Sequence, residues 1–164
     1  MKRILAPTAA MLLLPIGTAY AIDPPPLKEG LWSVKMHTVD NPGNKVIDGS
    51  FTLCRDHAFD DRIRATAKKM KDCTTLNESL QSGKYSSETS CKVGGSVIQS
   101  KGTSTLMDDN TIHSETKSTF TPAMGGVAET TMVMDQKYVG ACPAGTQPGD
   151  RTNANGTVMH LGKH

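Results

Sequence analysis

The chain has 164 residues, of which 37% are hydrophobic, 4% aromatic and 21% charged, with a formal net charge of +2. These averages hide a division: residues 1–21 hold 14 of the 60 hydrophobic side chains together with Lys2 and Arg3, so the other 143 residues are neutral and only 46 of them are hydrophobic. A lean, neutral chain of this kind is no membrane-spanning protein, no basic nucleic-acid binder and no large enzyme built round a deep apolar core.

The first element reads as an export signal. Lys2 and Arg3 precede an apolar run from Ile4 to Ile16, and Ala19-Tyr20-Ala21 supplies small residues two apart before a cleavage site. The run falls short of the roughly 20 residues that span a bilayer. Residues 1–21 are therefore expected to be a cleaved signal peptide, leaving Ile22 as the mature start. The chain is expected to be exported, to the periplasm if it comes from a Gram-negative bacterium and otherwise secreted, with no transmembrane segment.

Pro24-Pro25-Pro26 makes a stiff leader. Leu31 to Val39 then alternates, with Trp32, Val34 and Met36 on one face and Ser33, Lys35 and His37 on the other. Asn41-Pro42-Gly43-Asn44 is a turn by composition. Val46 to Cys54 follows, with Ile47, Gly49, Phe51 and Leu53 sharing a face. Centring the turn on Pro42-Gly43 pairs Val39 with Val46, Met36 with Gly49, Val34 with Phe51 and Trp32 with Leu53. The two apolar faces then coincide, whereas a slip of one residue would turn one of them outward.

A single helix is expected next. Asp56 can cap it through its carboxylate. Phe59, Ile63, Ala67 and Met70 form an apolar stripe, and the order of Asp60 and Asp61 before Lys68, Lys69 and Lys71 suits the helix dipole. The expected core is Trp32, Val34, Met36, Phe51 and Leu53, covered by Phe59, Ile63 and Met70.

From Cys73 onward the pattern is strand and turn, with hairpins at Ser82-Gly83, Gly94-Gly95, Asp108-Asp109-Asn110 and Pro122 to Gly126. The third pairs Met107 with Thr111, Leu106 with Ile112 and Ile98 with Phe120. The last strand runs from Ala128 to Val139. These strands are unusually polar. Ser100, Gly102, Ser104, Thr116 and Ser118 should share a face with Ile98, Leu106, Ile112 and Phe120. Such a face is either exposed to solvent or lines a wet, polar cleft. Residues 143–164 show no periodicity and read as a disordered tail.

Four cysteines remain after the leader, and an even number in a small exported chain implies two disulfides. A three-residue hairpin loop at Gln81-Ser82-Gly83 pairs Leu80 with Lys84, and counting back places Cys73 opposite Cys91. That leaves Cys54 with Cys142. The rival arrangement is Cys54–Cys73 with Cys91–Cys142. The expected fold is mainly β, with about seven antiparallel strands in a curved sheet or partly closed barrel and one α-helix between strands two and three. Its single stapled domain covers residues 22–142.

The sequence contains no G-x-S-x-G, H-E-x-x-H, P-loop or dinucleotide fingerprint. No catalytic residue and no cofactor are assigned. Methionine is the enriched residue type, with seven after the leader. Met124, Met132, Met134, Met159 and His160 are the candidate ligands should the protein handle copper, because thioethers suit Cu(I). Met as a filler of irregular core gaps is the alternative. His113 and Glu115 are the polar pair on which a hydrolase would depend.

The segments EGLWSVKMHT, FTLC, a short helix, DC, a hairpin, SC, KSTFTPAMGG and KYVGAC follow one another between Pro26 and Cys142. In this order and spacing the chain resembles the bacterial domain-of-unknown-function family 3617. The resemblance implies an exported protein of a Gram-negative bacterium and no particular activity. Composition, pattern and resemblance together lead to an exported, non-enzymatic protein. It is expected to bind a small molecule or an envelope protein through its sheet face.

Overall fold

The computed structural model describes residue 22 and residues 25–161, so the expected leader and the last three residues lie outside the described part. Nine antiparallel strands form one open sheet in the order β3-β4-β5-β6-β7-β1-β2-β8-β9. They are β1 Gly30–Asn41, β2 Lys45–Arg55, β3 Cys73–Gln81, β4 Lys84–Val93, β5 Ser96–Asp108, β6 Thr111–Met124, β7 Val127–Gly140, β8 Asp150–Asn153 and β9 Val158–His160. Helix α1, His57–Lys68, stands between β2 and β3. The mainly β fold with one helix is as expected. The sheet has two more strands than expected and does not close.

The first hairpin has the register that its apolar alternation demands: Trp32 faces Leu53, Val34 faces Phe51 and Met36 faces Gly49. The β3–β4 hairpin reaches the expected Cys73–Cys91 pairing by a different route. Its turn holds only Ser82 and Gly83, both at positive φ, so Gln81 rather than Leu80 pairs with Lys84. A two-residue turn of this kind matches the right-handed twist of the strands. A bulge between Thr75 and Asn77 then absorbs one residue and restores the count. A similar bulge at Met107 lets Asp108 pair with Thr111 while Leu106 still meets Ile112 and Ile98 still meets Phe120. The last hairpin also turns tightly, on Gly125-Gly126, with Met124 opposite Val127.

Both disulfides follow the register, Cys54–Cys142 and Cys73–Cys91. The first secures the end of β7 to β2 across 88 residues.

Residues 143–161, the described part of the expected disordered tail, carry two strands instead. Within them β8 pairs with β2, placing Arg151 opposite Leu53 and Asn153 opposite Phe51, and β9 pairs with β8. The stretch is short of apolar residues because it adds edge strands, whose backbone bonds and polar contacts carry the pairing. The Arg151 guanidinium stacks 4.0 Å from the Phe51 ring centre. The Asp150 carboxylate, buried, accepts from the Gln147 amide at 2.8 Å and meets His160 Nδ1 at 2.5 Å. Gly149 sits under the Phe59 ring at φ +99°, where a Cβ would lie 2.6 Å from the Leu161 carbonyl oxygen. Only glycine fits this crossing.

The core is small. Trp32, Val34, Cys54, Phe59 and Ile112 are the buried hydrophobic residues among those described. Met36, Phe51 and Leu53 are half-buried. Ile63 and Met70, expected to cover the core, are 44% and 53% exposed. Helix α1 touches the core through its first turn, where Phe59 and Asp60 are buried, and its later residues project away from that contact. Met70 lies beyond the helix end. A helical stripe shows which side of a helix is apolar, but not how far along its length a partner reaches.

Candidate functional site

Strand alternation divides the sheet into two chemically distinct faces. The inner face carries Trp32, Val34, Tyr138 and Ile112 and is the one α1 covers. The outer face carries Lys35, His37, His113, Glu115, Asp135 and Lys137.

At one end of the inner face a packed cluster fixes the helix. The Trp32 and Tyr138 rings meet edge to face, 5.8 Å between centres at 71°. The Trp32 Nε1–H donates to the Lys28 carbonyl at 2.8 Å. Arg55 lies over the Trp32 ring, its guanidinium carbon 5.7 Å from the ring centre. It donates to Asp60 of α1 at 2.9 and 3.1 Å and to Gln136 of β7 at 3.0 Å. The Asp56 carboxylate caps α1 by accepting from the Phe59 amide at 2.6 Å. One arginine thus ties the helix start to β7 across β1, with its charge matched by a buried carboxylate. Hydrophobic alternation does not mark Arg55, although its parity with Leu53 along β2 places it on the inner face.

Beyond this anchor α1 and the sheet diverge. A cleft of about 680 Å³ opens between the far half of the helix and the inner face of β3 and β4. Ala67 and Met70 form one wall and Thr75, Tyr85, Thr89 and the Cys73–Cys91 bridge the other. The Tyr85 hydroxyl donates to Glu78 at 2.8 Å within it. Alongside, the hydroxyl-rich face of β5 and β6 is half-buried and satisfies itself in rungs. Ser100 and Ser118 oxygens lie 2.8 Å apart and Ser104 and Ser114 oxygens 3.0 Å apart. These hydroxyls pair with each other across the two strands.

The outer face gathers charge. His113 Nδ1 lies 2.7 Å from Asp135 and its Nε2 lies 3.2 Å from Glu115. His37 Nδ1 lies 2.7 Å from Asp48. Hydrogen bonds to Asp135 first, and then to Glu115, raise the His113 pKa above its ordinary 6.5. Both ring nitrogens are occupied by carboxylates on an open surface, so neither is left to activate a hydroxyl nucleophile as a hydrolase would require. The raised pKa has a sign that can be checked. The cationic ring is favoured in the folded state, so its stabilisation is full below 6.5 and is lost as pH rises through the folded value. His113→Gln is expected to be less stable than the parent at about pH 5 and equal to it by about pH 9. Paired urea titrations check this. The His113 side chain is 39% exposed, so solvent screening keeps the difference small.

The five copper candidates do not come together as one group. Met124 sits at the β6–β7 turn, its methyl carbon 3.9 Å from where a Gly94 Cβ would stand. Met159 and His160 lie on β9, where they contact Asn153 and Asp150. Met132 and Met134 are neighbours on the inner face of β7, together with Met36 of β1. Among the described residues, no three His, Cys, Asp or Glu side chains are grouped to hold a metal ion. No helix there is long and apolar enough to cross a membrane.

Residues 27–142 match the family described as Protein of unknown function (DUF3617). The chain belongs to the DUF3617 family. The matched segment contains β1 to β7, α1 and all four cysteines, so the anchor, both disulfides and the α1, β3 and β4 walls of the cleft lie within it. Strands β8 and β9 lie beyond it and extend the DUF3617 sheet past β2. No curated protein matches the chain.

Proposed function

We propose that this DUF3617 protein is an exported, non-catalytic binding protein. Its ligand is a small molecule with an apolar part, held in the cleft between α1 and the inner face of β3–β4. The observation that carries this reading is the way α1 is held. Its first turn is locked by Arg55, Asp60 and Phe59, while the apolar stripe beyond stands away from the sheet, leaving Ile63 and Met70 exposed among the described residues. The cleft's volume of about 680 Å³ falls within the roughly 300–1,000 Å³ usual for small-molecule sites. Its walls combine an apolar side with a few polar groups, the pattern that fixes a ligand's orientation. The export half of the reading rests on residues 1–21, and N-terminal sequencing of the periplasmic protein is expected to begin at Ile22.

Titration with anilinonaphthalene sulfonate, a fluorescent apolar anion, tests the cleft. Saturable binding at a single site is expected. Ala67→Trp, which fills the cleft from an exposed helix position, is expected to abolish it without lowering the melting temperature. Equal binding by parent and variant would place the probe elsewhere and remove the support for this site.

A further inference from the structure

The inner face carries three methionines that strand pairing brings together, away from the cleft under α1. Met36 of β1 lies directly opposite Met134 of β7, and Met132 lies two residues along β7, opposite Thr38. Directly opposed residues hold their Cβ atoms about 4.5–5.5 Å apart and diagonal ones about 7–8 Å. Each thioether swings on three rotatable bonds, so three sulfurs at these spacings can converge on one point above the sheet. All three residues are half-buried, so the patch is neither sealed in a core nor open surface.

The neighbouring strands place uncharged residues beside the three methionines. Across β1 from the pair stands Gly49, and a Cβ there would lie 3.5 Å from the Met36 methyl carbon. On the other side Ser114 faces Met134 and Thr116 faces Met132, both neutral hydroxyl residues. The next carboxylate along this face, Asp40, is one rung beyond Met132 and accepts from Thr130 at 2.7 Å. The histidines of β1 and β6, His37 and His113, lie on the opposite face, paired with carboxylates.

We propose that Met36, Met132 and Met134 form a binding site for one monovalent copper ion. Neutral thioether donors match a soft, singly charged ion, whereas Zn²⁺ and other divalent ions call for imidazole, thiolate or carboxylate, which this patch lacks. The site shares no residue with the cleft under α1, so either can fail without the other.

The test uses the full protein with both disulfides intact. Cu(I), kept reduced by ascorbate, is partitioned between the protein and a chromophoric bathocuproine chelator. The protein is expected to withdraw a single equivalent, with a shell of sulfur neighbours in X-ray absorption. The triple variant M36L/M132L/M134L conserves side-chain size and is expected to lose that affinity by at least about tenfold. M107L/M159L, which alters two exposed methionines elsewhere, is expected to retain it. If circular dichroism shows the triple variant unfolded, Met134→Leu alone carries the comparison. Failure of the parent to compete for copper would overturn the proposal, and so would undiminished affinity in the folded leucine variant.

Discussion

Trp32→Ala is expected to lower the stability of the fold by about 3–5 kcal/mol, the usual range for deleting a fully buried aromatic. Trp32 is 0% exposed and is the largest side chain in a core of very few residues. Its loss removes the edge-to-face contact with Tyr138, the bond to the Lys28 carbonyl and the surface beneath Arg55. The last of these matters most. Arg55 is the link between α1 and β7, and without the ring under it the guanidinium and the buried Asp60 gain water and lose their fixed geometry. Urea titration followed by far-ultraviolet circular dichroism measures the effect, since the substitution removes the only tryptophan. A change below about 1 kcal/mol would show that the core lies elsewhere.

Removing the Cys54–Cys142 bridge, as C54A/C142A, is expected to cost about 4–5 kcal/mol in the chain-entropy description, because the bridge closes a loop of 88 residues. The Cys73–Cys91 bridge closes 18 residues, and C73A/C91A is expected to cost about 3 kcal/mol. Position reinforces the difference. Cys54 is buried, its carbonyl accepts from the Gly149 amide at 2.7 Å, and β8 begins beside it. The long bridge therefore secures the end of β7, the end of β2 and the approach to β8 at one point. Cys73 and Cys91 join adjacent strands of a hairpin that its turn already closes. Denaturant midpoints of the two double variants decide the matter. A larger loss on removing the short bridge would mean that native contacts around Cys73 outweigh chain entropy.

Much of the fold was legible because strand pairing obeys a strict period of two. The β1–β2 register came directly from matching apolar faces, and the disulfide pairing came from counting across a hairpin. The β3–β4 hairpin departs from that simple count. The β3–β4 turn is one residue shorter than expected, and the bulge near Leu76 compensates, so the cysteine pair was right although the Leu80 pairing was not. A bulge leaves no local sequence signature here, because any exposed residue can be the extra one, and Leu76 is exposed.

The candidate sites were less legible than the strands. Methionine enrichment was visible, but nearness in sequence grouped Met124 with Met132 and Met134, whereas pairing across β1 and β7 substitutes Met36 for Met124. Hydroxyl alternation marked a polar inner face without showing that its hydroxyls bond to one another across β5 and β6.

Strands β1 to β7, the first hairpin register and the cap and apolar stripe of α1 are legible in the chain itself. These are local properties, set by periods of 2 and 3.6 and by turn chemistry acting over a few residues. That residues 150–160 join the sheet, that α1 meets the core by one turn alone, and that three methionines share a patch are set by the folded arrangement. Each of these depends on contacts between segments far apart in the chain. Such contacts are chosen by the shape of the whole sheet: where β2 leaves an unpaired edge, how far Arg55 reaches, and which strand lies beside β7.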